Sequence, residues 1–169
     1  MNKKIIILLI GIFLLLGCEN SMATPSSKVE SFFNKYQKLD KNVLLDLDNV
    51  IKKDKSMNKE QKEIYKDLLE KQYQNLSYKI KNEEVNNNSA IVETEIEVLD
   101  YNNSIIKSQK YYEKHKNEID NYIDYKLKKM QEVDEKIKYE LIFFLRKEKG
   151  NWIIEELNEE EYKKIHGLY

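Results

Sequence analysis

The chain has 169 residues, with 29 Lys and Arg against 30 Asp and Glu, one Cys, two His, one Pro and four Gly. This length fits one domain, or at most two, around a hydrophobic core. A single thiol excludes an internal disulfide framework and a zinc site built on several thiolates. With Gly11 and Gly17 inside an apolar N-terminal run, no glycine loop is left to cradle a phosphate.

The chain opens with Lys3 and Lys4 and continues from Ile5 to Leu16 with nothing but Ile, Leu, Phe and Gly. Twelve residues rise about 18 Å as a helix, against about 30 Å of bilayer hydrocarbon, so the run is too short to span. A positive start followed by a short apolar stretch predicts a secretory signal peptide over residues 1–17. The run ends in Leu15-Leu16-Gly17-Cys18, which resembles the lipobox of bacterial lipoproteins. The resemblance implies cleavage after Gly17 and a diacylglyceryl thioether on Cys18. The expected location is the extracytoplasmic face of the cell membrane, with lipid on Cys18 as the anchor. Losing Lys3 and Lys4 leaves acidic residues in small excess, which argues against nucleic acid as a partner.

Residues 18–27 are small and polar and read as the lipidated Cys and its tether, and residues 28–169 read as one α+β domain. Ser27 and Glu30 form a capping box for a first helix, with Thr24-Pro25 as a competing start. Val29, Phe32, Phe33, Tyr36 and Leu39 recur at helical spacing. Val43, Leu44, Leu47, Val50 and Ile51 continue the pattern as a second helix or a bent extension of the first. Asn58 and Gln61 cap another, whose stripe is Ile64, Tyr65, Leu68, Leu69 and Tyr73.

The period then changes to two. Leu76, Tyr78 and Ile80 alternate with polar residues, Asn86-Asn87-Asn88 turns the chain, and Ala90, Val92, Thr94, Ile96 and Val98 alternate with Glu93, Glu95 and Glu97. A helical period returns from Ile106 to Val133 and predicts one long helix. Ile137, Tyr139, Leu141, Phe143 and Leu145 alternate next, Lys149-Gly150-Asn151 turns, and Trp152 to Glu156 returns beside them. Glu159 to His166 reads as a short terminal helix.

Tight turns make the strands antiparallel, so the predicted class is α+β. About four strands form a curved sheet packed against N-terminal helices and the long helix. This arrangement resembles the nuclear transport factor 2-like (cystatin-like cone) fold of small bacterial lipoproteins. The likeness rests on Val29 to Phe33, Tyr73 to Tyr78, Ala90 to Thr94 and Gly150 to Ile154. The charged stretch from Lys107 to Asp134 is longer than a typical connecting helix of that fold.

Chemistry is sparse. Asp46-Leu47-Asp48-Asn49 lacks the glycine and later acidic ligand of a calcium loop and reads as helix. No serine has an elbow context, and the lone thiol is the lipid site. Glu93, Glu95 and Glu97 read as a solvated strand face. His115, near the apolar side of the long helix, is a candidate for the cone interior, and Tyr112, Tyr122 and Trp152 join it as candidate pocket lining. Tyrosines, twelve in all, suit a binding site for sugar, peptide or lipid. The expectation is a non-catalytic binding or interaction domain, without cofactor or metal, whose partner is a protein, peptide or small molecule. The alternative is a pocket enzyme pairing His115 with a carboxylate.

Overall fold

The computed structural model describes residues 23–169, and the predicted leader, Cys18 and the first part of the tether lie outside the described residues. Helix α1 (Pro25–Gln37) starts earlier than the Ser27 box predicts: the Thr24 hydroxyl accepts from the Ser27 amide, and Pro25 takes the first helical position. Proline's fixed φ suits that place and its missing donor costs nothing there. The last three residues assigned to the tether are therefore helix. The Ser26 amide also donates to the Glu83 carboxylate at 2.7 Å, a negative charge at the positive end of the helix.

Leu39 takes a left-handed φ of 51° and Asp40 caps α2 (Lys41–Lys53), which is thus a separate helix and not a bent extension. Helix α3 (Lys59–Asn75) begins at the expected capping box, with both Asn58–Gln61 hydrogen bonds at 2.9 Å. Strands β1 (Ser77–Asn86) and β2 (Ser89–Leu99) follow. Helices α4 (Tyr101–Lys114) and α5 (Tyr122–Gln131) lead to β3 (Lys136–Glu148), β4 (Asn151–Ile154) and α6 (Glu159–His166). The four strands form one antiparallel sheet in the order β1-β2-β3-β4. Lys149 and Gly150, at φ 49° and 85°, make the β3–β4 turn, since left-handed central residues match the twist of a hairpin. The α+β class read from the periodicities is the class of the structure.

The predicted long helix over 106–133 is two helices. His115 ends α4 with φ −129°, and the Asn121 side chain accepts from the Ile123 and Asp124 amides to start α5. An Asn that can cap the next turn competes with continuation of the previous one. The pair does not cover the sheet. It packs on α3, through a second cluster of Leu68, Leu99, Tyr101, Leu127 and Met130.

The main core lies between the inner sheet face and α1, α3 and α6. Val92, Ile96, Leu141, Phe143 and Leu145 meet Val29, Phe33, Leu69, Tyr73 and Ile165 there. Phe33 stacks on Tyr78 with centroids 4.7 Å apart, and Phe143 stands edge-on to Phe32 and Phe33. These rings pack together beneath the inner face of the sheet. On the outer face Glu95 lies between Lys81 and Lys138, at 3.2 and 3.0 Å, as a solvated strand face requires.

Thr94 is the exception on the inner face. It is 1% exposed and its hydroxyl has no hydrogen-bond partner among the described residues. Burying an unpaired hydroxyl costs about 1–3 kcal/mol. Thr94→Val, which keeps the shape and removes the orphaned group, is expected to stabilise the domain by about 1 kcal/mol in urea denaturation. A variant less stable than wild type would contradict this reading of the core.

Candidate functional site

A cleft of about 280 Å³ opens where α1, α2, α3 and α6 converge, outside the filled sheet core. Its geometry follows from one-turn spacings on three helices. Val43, Asp46, Leu47 and Val50 share a face of α2, and Tyr65, Leu69 and Tyr73 share a face of α3. Tyr162 and His166 lie one turn apart on α6, while Tyr36 comes from the end of α1. Most of the wall is apolar, four of the polar tips are phenols and one is imidazole. Asp46, exposed at the rim, is the one charged residue of the lining.

The rings are held against each other. Tyr36 stands edge-on to Tyr73 with centroids 4.9 Å apart, and the Tyr73 hydroxyl lies 2.9 Å from His166 Nε2. Tyr162 flanks the imidazole at 6.4 Å. His166 is placed by the end of its helix. Gly167 takes a left-handed φ of 69°, and the Gly167 and Leu168 amides close back on Lys164 and Lys163 at 3.0 and 2.8 Å. This is the Schellman ending that glycine favours.

Burial decides the protonation states. It lowers the His166 imidazole to about 4, so the ring is neutral near pH 7. Burial also raises all four phenols above their ordinary range. Neighbouring phenols, with Asp46 at Tyr36, push Tyr36 and Tyr73 further, Asp54 acts on Tyr65, and Glu156, Asp46 and Glu161 act on Tyr162. The cleft is therefore uncharged inside and negative at its mouth.

None of the four residues singled out from the sequence belongs to this cleft. His115 does not enter the interior. It stacks on Tyr111 at 4.0 Å and its Nδ1 lies 2.9 Å from the Tyr111 carbonyl oxygen, at the C-terminal end of α4. Tyr112 and Tyr122 do meet, with centroids 4.9 Å apart, across the α4–α5 joint. Trp152 is in the sheet core, 6% exposed, with Lys147 Nζ 5.4 Å from its ring centroid. The sequence holds a partial signal for the cleft: Tyr65, Leu69 and Tyr73 repeat every fourth residue, as do Tyr162 and His166.

Asp46 and Asp48 lie within α2, not in a calcium loop, and Asp48 pairs with Lys66 at 2.8 Å. Among the described residues, no group of three or more His, Cys, Asp or Glu is placed to hold a metal ion, and no helix is long and apolar enough to cross a membrane. No family model, no curated protein and no solved structure matches the chain.

Proposed function

We propose that this chain is a lipid-anchored domain on the extracytoplasmic face of the membrane, held through Cys18, and that its working surface is the aromatic cleft, which binds a ligand without transforming it. The anchor reading rests on the short greasy leader ending in Leu15-Leu16-Gly17-Cys18. Each buried acyl CH₂ contributes about 0.8 kcal/mol, and two or three chains hold a protein stably where one does not. The observation that carries the binding reading is the paired Tyr73–His166 couple. Its imidazole is already engaged, it is neutral, and the surrounding wall supplies no Ser, Cys or Lys nucleophile. Such a wall suits recognition through ring faces and a few polar tips.

The reach of the chain supports the same picture. Thr24 is six residue steps from Cys18, a span of at most about 20 Å. From there α1 rises about 17 Å before Tyr36. Tyr36, which lines the cleft, lies at the end of α1 remote from the tether. The test is palmitate labelling and membrane fractionation of wild type and Cys18→Ala. Label and membrane retention in wild type, both lost in the variant, are expected. Equal labelling of the two would overturn the anchor.

A further inference from the structure

We infer that the cleft is a site for a small organic cation carrying a methylated ammonium group. This deepens the binding reading above and rests on it. The first observation is the rings themselves. Four tyrosines, Tyr36, Tyr65, Tyr73 and Tyr162, converge on one small space. The negative faces of neutral aromatic rings attract cations, most strongly where water is excluded.

The second observation is charge. Asp46 is the single charged residue of the lining, and among the described residues it forms no ion pair and no side-chain hydrogen bond. No Lys or Arg lines the space. An anionic ligand would meet a carboxylate and a neutral imidazole, with nothing to compensate its charge.

The third observation is what the chain does with its own ammonium groups. Lys129 lies over Tyr125 at 5.9 Å, Lys147 over Trp152 at 5.4 Å and Lys164 over Tyr169 at 4.8 Å. None of these three pairs uses a cleft ring, although the chain carries 29 basic residues. Among the described residues, no lysine of the chain lies over Tyr36, Tyr65, Tyr73 or Tyr162.

Size and wall chemistry narrow the class. At about 280 Å³ the cleft falls just below the roughly 300–1,000 Å³ of sites for drug-sized ligands, so the ligand is small. Val43, Leu47, Val50 and Leu69 offer no hydrogen bonds. Against that aliphatic part of the wall a primary ammonium, with three donors and tightly held water, would have to replace its hydration from the phenol oxygens and Asp46 alone. A methylated ammonium has few or no donors to satisfy and presents methyl groups to the aliphatic wall.

The test is calorimetric titration of the mature lipidated protein in a maltoside detergent, with three probes. Choline chloride stands for a free solute, glycerophosphocholine for a lipid headgroup, and dimethylbutanol is the uncharged isostere of choline. Saturable binding of at least one cationic probe is expected, roughly tenfold or more tighter than dimethylbutanol. A preference for glycerophosphocholine assigns a headgroup, and a preference for choline assigns a free solute. Asp46→Asn, on the exposed rim, is expected to weaken the cation roughly fivefold to tenfold and leave dimethylbutanol unchanged. Tyr162→Leu is expected to weaken both, with unfolding midpoints confirming that each variant is folded. No saturable cation binding, equal affinity for the uncharged isostere, or an unchanged cation affinity in Asp46→Asn would overturn the inference. If dimethylbutanol alone binds, the cleft remains a binding site and the cation assignment fails. If no probe binds, the cation assignment fails, while palmitate labelling decides the anchor independently.

Discussion

Gly167→Ala is expected to destabilise the domain by about 3 kcal/mol or more, enough to unfold much of a marginally stable protein. Gly167 sits at φ 69°, where an L side chain is strained, and a Cβ there would overlap the Leu99 carbonyl oxygen and the Gln72 Nε2. Those two atoms are already committed. The fully buried Gln72 amide donates to the Leu99 carbonyl at 2.9 Å and accepts from the Leu99 amide at 2.8 Å, pairing with β2 as a neighbouring strand would. The Gly167 carbonyl in turn accepts from the Asn102 amide at 2.8 Å. One node thus joins α3, the end of β2, the start of α4 and the end of α6. Gln72→Leu is expected to cost about 2–3 kcal/mol, because it strands both Leu99 groups in the interior. The double variant is expected to lose less than the sum, since both changes break the same contacts. Urea denaturation reads all three. A Gly167→Ala protein within about 1 kcal/mol of wild type would refute this account of the node.

The second large effect is pH-dependent. The folded-state imidazole of His166 is lowered to about 4 by burial, from an ordinary value of 6.5. Between these values the unfolded chain binds the proton and the folded chain does not, so stability rises with pH in that window. The contribution is fully present above about pH 6.5 and is lost as pH falls toward about 4. Its full size is about 3 kcal/mol. His166→Gln, which keeps a polar tip for Tyr73 and cannot take up the proton, is expected to show a shallower loss over the same range. Subtracting its profile from that of wild type isolates the contribution of the imidazole. Parallel profiles from pH 7 to 4 would show that His166 is not held neutral by its surroundings.

The strands were legible because alternation survives on a sheet with one wet face. Ala90, Val92, Thr94, Ile96 and Val98 point inward as predicted, and Glu95 and Glu97 pair with lysines on the outer face, where Glu93 is exposed. The Asn58–Gln61 start of α3 was legible for a similar reason: a capping box is a local hydrogen-bond pattern. What failed was longer in range. The stripe through Tyr112, Tyr122 and Leu127 continues across a break because α4 and α5 both turn apolar sides toward a shared neighbourhood, and only the Asn121 cap betrays the turn. Gln72 reads as one polar residue among many in α3, since its partner Leu99 lies on another element. The candidate residues and the cleft differ for the same reason. His115 was favoured by its place on a presumed long helix, whereas the engaged histidine is His166, whose Tyr73 partner is 93 positions away. Local periodicity identifies faces, and says nothing of which distant faces meet.

The most direct measurement of the central claim is the intact mass of the protein taken from its native membrane. A chain beginning at Cys18 and carrying a diacylglyceryl group is expected. A chain that still begins at Met1, with an unmodified thiol, would contradict the anchor.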